Sequence, residues 1–267
     1  MLETILTIEG LTKEYLLPDK RTLTACDQLS ILVKKGQTLG IVGESGSGKS
    51  TLVNMLMLME RPTDGKIYYR DKNILELNKR EIWQFRPAIQ MVFQSPMASI
   101  NPKMKVIDAV TEPLFNYKKI SLKEKRTRAK ELLEMVELSE EYLDRYPNHL
   151  SGGQCQRVSI ARALSLNPEI LICDEATSAL DVSVQKTIID LLVKLQKRNN
   201  MSILFISHDL ALVQSFAHEI IVMQNGKIVD QLDQANQLKT SSVAYTQSLL
   251  DSVYSLAQLK RQFLTTT

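Results

Sequence analysis

The run TLGIVGESGSGKSTLVNML, residues 38–56, decides the reading of this chain. Thr38–Val42 has the composition of a short buried strand, and Thr51–Met59 reads as a helix. Between them lies Gly43-Glu44-Ser45-Gly46-Ser47-Gly48-Lys49-Ser50. Strand, Gly-x4-Gly-Lys-Ser and helix in that order form the pattern of a phosphate-binding loop. Gly43, Gly46 and Gly48 let the backbone turn tightly and aim successive N–H groups at phosphate oxygens, and the helix starting near Lys49 adds its positive end. Lys49 is expected to neutralise β- and γ-phosphate charge, and the Ser50 hydroxyl to ligate Mg²⁺. Glu44, Ser45, Ser47 and Thr51 complete the expected phosphate-contacting set.

Working outward, the flanks alternate. Strands are expected at residues 4–9, 28–33, 66–69 and 88–93, with breaks at Pro62 and Gly65 and after Gln94-Ser95-Pro96. From about residue 99 to 166 helical periodicity replaces strand signal: Ser121 and Glu124 have capping-box spacing, and Ala129, Leu132, Leu133 and Val136 share a face. Alternation resumes with strands at 170–173, 202–206 and 219–223 and helices at 182–198 and 210–217. The expected fold is an α/β phosphate-loop nucleotidase: a RecA-like core with an antiparallel β subdomain, and an α-helical subdomain inserted at about 95–167.

Composition narrows the class. The chain has 267 residues, 44% hydrophobic and 24% charged, enough for one α/β domain with an inserted lobe and unlike long disordered or coiled-coil chains. Its apolar runs fall far short of the roughly 18 residues of a membrane span. No secretory signal is expected, because Glu3 and Glu9 stand where a basic region would lie. A net charge of +3 is too small to imply nucleic acid, and no nucleic-acid partner is expected. Lys118–Lys130, rich in Lys and Arg and followed by glutamates, reads as a solvated helix face. Cys26, Cys155 and Cys173 read as free thiols. Trp83, Phe85, Met55, Met57 and Met59 read as packing residues.

A second chemical element is Ile170–Cys173 followed by Asp174 and Glu175. Carboxylates at the C-terminal end of a buried strand lie where ligands of doubly wound sheets bind. Asp174 is expected to hold Mg²⁺, and Glu175 to orient and deprotonate the attacking water. A third is Leu150-Ser151-Gly152-Gly153-Gln154, in which Ser151 can cap a helix beginning at Gly152-Gly153 and present a second anion-binding helix start.

With this third element the sequence resembles the ATP-binding-cassette (ABC) ATPases, whose signature is LSGGQ. The supporting motifs stand in the family's order: Tyr15, Gln94, the signature, Asp174-Glu175, Ser178-Ala179-Leu180-Asp181 and Ser207-His208-Asp209. The resemblance covers residues 3 to about 235 and leaves 236–267 as a short C-terminal helical tail. It implies that Tyr15 stacks on adenine, and that Gln94 touches Mg²⁺ or the attacking water. It implies also that His208 contacts the γ-phosphate, and that Asp181 lies across a dimer seam. By the same resemblance, Ser151, Gly152, Gly153 and Gln154 are expected to face the γ-phosphate held by a partner subunit. The implied catalytic set is Glu175, His208, Gln94 and Lys49; the implied metal set is Ser50, Gln94 and Asp174.

Two family classes compete: the motor of a membrane transporter, and a soluble ABC ATPase acting on ribosomes or DNA. A single cassette favours transport. Phe93–Pro102 (FQSPMASINP) is similar to the oligopeptide, dipeptide and nickel importer branch, as are Tyr245-Thr246 and Leu249-Leu250. Val243-Ala244 depart from that branch's His-Pro, and its longer tail is not seen. The resemblance implies an ATPase subunit at the cytoplasmic face of the membrane, energising uptake of peptides, nickel or a metal chelate. Its implied partners are two transmembrane permeases, a second, different ATPase subunit and an extracytoplasmic substrate-binding protein.

Overall fold

The computed structural model describes residues 2–117 and 119–251. In chain order it runs β1 (Thr4–Leu16), β2 (Thr22–Lys34), β3 (Thr38–Val42), α1 (Lys49–Leu56), β4 (Asp64–Tyr69) and β5 (Lys72–Asn73). Then come α2 (Lys79–Phe85), β6 (Ile89–Val92), α3 (Pro96–Ser99), α4 (Val106–Asn116), α5 (Lys125–Met135) and α6 (Gly152–Leu164). The order closes with β7 (Ile170–Asp174), α7 (Val182–Asn199), β8 (Ser202–Ser207), α8 (Leu210–Gln214), β9 (Glu219–Gln224) and β10 (Lys227–Leu232). Residues 244–251 are helical. Half of the tail expected to be helical, residues 252–267, lies outside the described residues, as does Lys118 of the basic run.

The chain divides into two compact units, one comprising Met1–Leu77 with Leu204–Thr267, the other Asn78–Ile203. In the first, an antiparallel sheet has the order β2-β1-β4-β5, and further strands the order β10-β9-β3-β8. Along β2, buried Leu29, Ile31 and Val33 alternate with exposed Ser30 and Leu32, the period of a strand covered on one face. β3 is buried throughout and pairs parallel with β9 from Leu39↔Glu219 to Val42↔Val222. β1 and β2 outrun the expected 4–9 and 28–33 because a hairpin joins them. The Leu17 N–H bonds Arg21 O at 2.8 Å, a local turn whose polar residues hide the strand ends from an apolar pattern.

In the second unit β6 and β7 pair parallel, from Ile89↔Ile170 to Val92↔Cys173. Helices occupy Pro96–Leu164. Ala129, Leu132 and Leu133 form the buried side of α5, and its basic face is paired: Arg126 with Asp144 at 3.1 Å, Lys130 with Glu140 at 2.7 Å. The Ser121–Glu124 spacing does not cap α5. The Glu124 carboxylate accepts from both the Ser121 N–H and hydroxyl, and the helix starts only at Lys125. Two packing expectations need correction. Met55 is fully buried but Met59 is 60% exposed, since Met59 follows the end of α1. Trp83 is half exposed and stacks on Tyr117, ring centroids 4.2 Å apart. All three cysteines are free and buried, and burial pushes the Cys26 and Cys173 thiols up to about 12.

Candidate functional site

In the first unit the phosphate loop follows β3 without a linker. Gly43 is fixed by space: a Cβ there would lie 2.2 Å from Met223 O, in β9. At Gly48, φ is +102° and a Cβ would come within 2.4 Å of Ala25 O, so both conformation and contact demand glycine. The turn after β9 supports the loop, its Gly226 N–H bonding Ser47 O at 3.1 Å. Lys49 is buried, and its ammonium donates to Gly43 O and Glu44 O, each at 2.7 Å, and to Ser47 Oγ at 3.1 Å. Ser45, Gly46 and Ser50 are exposed and Thr51 is partly exposed. The loop therefore presents backbone and hydroxyls outward around a cation held on its inner side. The space-limited glycines and the collared ammonium fit a polyphosphate.

Tyr15 belongs to this unit and stands opposite Leu23 in the β1–β2 ladder. Its hydroxyl donates to Glu60 Oε2 at 2.7 Å, and Lys13 Nζ sits 3.0 Å from Glu60 Oε1 and 5.0 Å from the centre of the Tyr15 ring. Thr51 also bonds the phenol oxygen. Burial, then the bond to Glu60, raises the Tyr15 phenol above its ordinary value, while the tyrosine hydroxyl and then Lys13 hold Glu60 below the usual carboxylate range. Glu60 is itself placed by its N–H on Asn54 O, 3.2 Å away in α1. His208 is exposed between β8 and α8; the next residue, Asp209, caps α8 by accepting from Leu212 N–H at 2.9 Å.

In the second unit β7 ends at Asp174, and Glu175 turns the chain at φ +46°. A non-glycine residue in this region is sparsely populated and costs on the order of 1–3 kcal/mol. Gln94, just after β6, donates from Nε2 to Glu175 Oε2 at 2.8 Å and reaches Ser178 Oγ at 3.5 Å. Ser178 closes the group by donating to Glu175 O at 3.0 Å. Two expected catalytic residues 81 positions apart thus touch. Ser151 caps α6 reciprocally: its hydroxyl accepts from Gln154 N–H at 3.3 Å, while Gln154 Oε1 accepts from Ser151 N–H at 2.9 Å. A Cβ on Gly153 would lie 2.7 Å from Val184 Cγ1, so packing against α7 is a second reason for glycine in this signature. Asp181 is exposed at the N-cap of α7 and makes no side-chain cap bond.

The family model described as "ABC transporter" matches residues 26–178, more than half of the chain. The chain belongs to the ABC transporter family. Its fold is the phosphate-loop nucleotidase fold, shared with solved ABC cassettes. One is a dimeric ATP-binding cassette in a post-hydrolysis state with ADP and Pi, with TM-score 0.76 and 33% identity, covering 85% of this chain and 97% of that one. Another is CbiO1 from Clostridium perfringens, part of an ABC transporter complex, with TM-score 0.79 and 29% identity, covering 90% and 92%. Among curated relatives, the oligopeptide transport ATP-binding protein OppF of Bacillus subtilis is 41% identical over 95% of this chain and 83% of its own length. The dipeptide transport ATP-binding protein DppF of Haemophilus influenzae is 39% identical over 97% and 81%.

In this ABC chain, four residues beside these groups carry no role that the sequence alone assigns. Ser178 opens the motif Ser178–Asp181, which by itself gives it no role. Glu60 and Lys13 carry no motif; Lys13 lies two residues from Tyr15 on β1, and Glu60 reaches Tyr15 because the segment after α1 folds back on β1, with Thr63 N–H on Thr12 O at 2.8 Å. Tyr245, quoted for its resemblance alone, accepts a hydrogen bond from Glu44 N–H in the phosphate loop. Among the described residues no group of three or more His, Cys, Asp or Glu could hold a metal ion, and no helix is long and apolar enough to cross a membrane.

Proposed function

We propose that this chain is the ATP-hydrolysing, nucleotide-binding subunit of an ABC importer for peptides. The observation that carries ATP binding is the loop at 43–51, where two glycines have no room for a side chain and a buried lysine is gathered inside. On ATP binding, Lys49 exchanges its loop carbonyls for β- and γ-phosphate oxygens, so that contacts charged only on the ammonium give way to contacts charged on both partners. The exposed loop amides and the start of α1 take the remaining phosphate charge. Tyr15 stacks on adenine with the face that Lys13 leaves open.

Hydrolysis needs a positioned water and a base more than covalent chemistry. Glu175 accepts the proton of the attacking water, Gln94 holds that carboxylate and orients the water, and His208 donates to the γ-phosphate. Ser50, Gln94 and Asp174 would hold the Mg²⁺ that accompanies ATP and offsets phosphate charge; a hydroxyl, an amide and one carboxylate suit this ion, which relies on water and phosphate for its other ligands. Ser151, Gly152, Gly153 and Gln154 would close over ATP held by a second, different ATPase subunit, with Asp181 at that seam.

The curated relatives OppF and DppF are named for oligopeptide and dipeptide transport, which favours this reading over a soluble ATPase acting on ribosomes or DNA, and favours peptides over nickel or a metal chelate. Two permeases would anchor the subunit at the cytoplasmic face of the membrane, and an extracytoplasmic binding protein would deliver cargo. The test is co-purification. The chain should sediment with membranes only when its permeases are co-expressed, and those membranes should hydrolyse ATP. Sedimentation with polysomes instead would refute the reading.

A further inference from the structure

The C-terminal motif Tyr245-Thr246 has no role in the reading above, yet it is tied into the phosphate loop. Tyr245 Oη accepts from Glu44 N–H at 3.2 Å. That N–H belongs to the peptide group whose carbonyl, Gly43 O, accepts from Lys49 Nζ at 2.7 Å. One peptide plane is thus held at both ends, by the loop's lysine and by a side chain some 200 residues later. The bond at the carbonyl polarises the amide, so each contact strengthens the other.

The tyrosine is itself anchored. Thr246 is fully buried and donates to Asp230 Oδ2 at 2.7 Å in β10, where Ser241 Oγ also bonds. Gln247 Nε2 closes the segment onto Ser241 O at 2.6 Å, and Leu250 is buried behind it. A flexible surface tyrosine could not fix a loop; this one projects from a segment pinned to the sheet.

We propose that Tyr245 is a positioning residue for the phosphate loop, with Thr246 as its anchor. When Lys49 leaves Gly43 O for a phosphate, Tyr245 keeps the plane from rotating, so the loop binds ATP without first having to be ordered. Restraint of this kind acts on binding more than on the chemical step.

The inference rests on the proposed nucleotide site, so two readouts are taken on the purified full-length chain. Amide hydrogen exchange at Glu44 is measured without nucleotide, and ATP affinity by equilibrium titration. Tyr245→Phe keeps the ring and removes only the hydroxyl, and with it the acceptor for Glu44 N–H. It should speed exchange at Glu44 and weaken ATP binding roughly two- to tenfold, the span of one net hydrogen bond. In the assembled transporter, KM for ATP should rise by that factor with kcat unchanged. Should Tyr245→Phe fail to fold, Thr246→Val, which removes the anchor, should show the same pair of changes, and Thr246→Ser should not. Unaltered Glu44 exchange or unaltered ATP affinity in the variant, with the parent binding ATP normally, overturns the inference alone. A parent chain that binds no ATP overturns the site reading and this inference with it.

Discussion

Glu175→Gln replaces one carboxylate oxygen at the end of β7 by an amide and changes nothing else in size. Its oxygen can still accept from Gln94 Nε2, now 2.8 Å from the carboxylate, so the tie survives as a neutral bond. Neutral bonds carry about half the strength of charge-assisted ones, a difference of about 1 kcal/mol, or less than tenfold in rate. Losing the base costs about 10²- to 10⁴-fold, roughly 2.7–5.5 kcal/mol of barrier. The second effect dominates. The φ of +46° at position 175 suits Gln no better and no worse than Glu, so stability should hold. We therefore expect kcat at saturating ATP to fall at least about 10²-fold in the assembled transporter. ATP affinity and Tm should stay at parent values. The assay pairs steady-state phosphate release with equilibrium ATP titration. A kcat within tenfold of the parent, with ATP bound normally, would remove Glu175 from the role of base.

The remaining predictions concern the first unit. Lys49→Ala should raise the Kd for ATP by about 10- to 150-fold, the equivalent of ~1.5–3 kcal/mol for a hydrogen bond to a charged group; titration with a fluorescent ATP analogue reads it, and unchanged affinity would contradict the loop assignment. Gly43→Ala would drive a Cβ against Met223 O and should destabilise the protein by about 1–3 kcal/mol, seen as a lower denaturant midpoint. Glu60→Ala releases the Tyr15 hydroxyl and should raise KM for ATP about two- to tenfold with kcat intact, while Glu60→Gln, which can still accept from Tyr15, should rescue part of it. Because Glu60 titrates below its usual 4.5, the stability it contributes is complete above that pH and is lost as pH falls through the lower folded value. The Tm gap between parent and Glu60→Gln should accordingly be constant above pH 4.5 and close below it; a gap that widens in acid would refute the sign.

Much of this was legible in the residues themselves. A short apolar strand, glycines at fixed offsets and a lysine at a helix start can be read because their pattern is local, and the collar around Lys49 is built by Gly43, Glu44 and Ser47, its neighbours in sequence. Ser151 and Gln154 cap their own helix for the same reason, three residues apart. The hairpin ends of β1 and β2 and the late start of α5 were missed because turn hydrogen bonds override apolar periodicity.

Sequence alone settled the alternation of strand and helix, the phosphate loop and the order of motifs that marks the family. Tertiary structure alone decided which distant groups touch. Gln94 meets Glu175 across 81 positions, Glu60 meets Tyr15 across 45, and Tyr245 reaches Glu44 across 201. No spacing rule encodes such meetings. They follow from where strands pair and where the chain turns back, because a hydrogen bond is set by a distance in space of about 3 Å and not by separation along the chain.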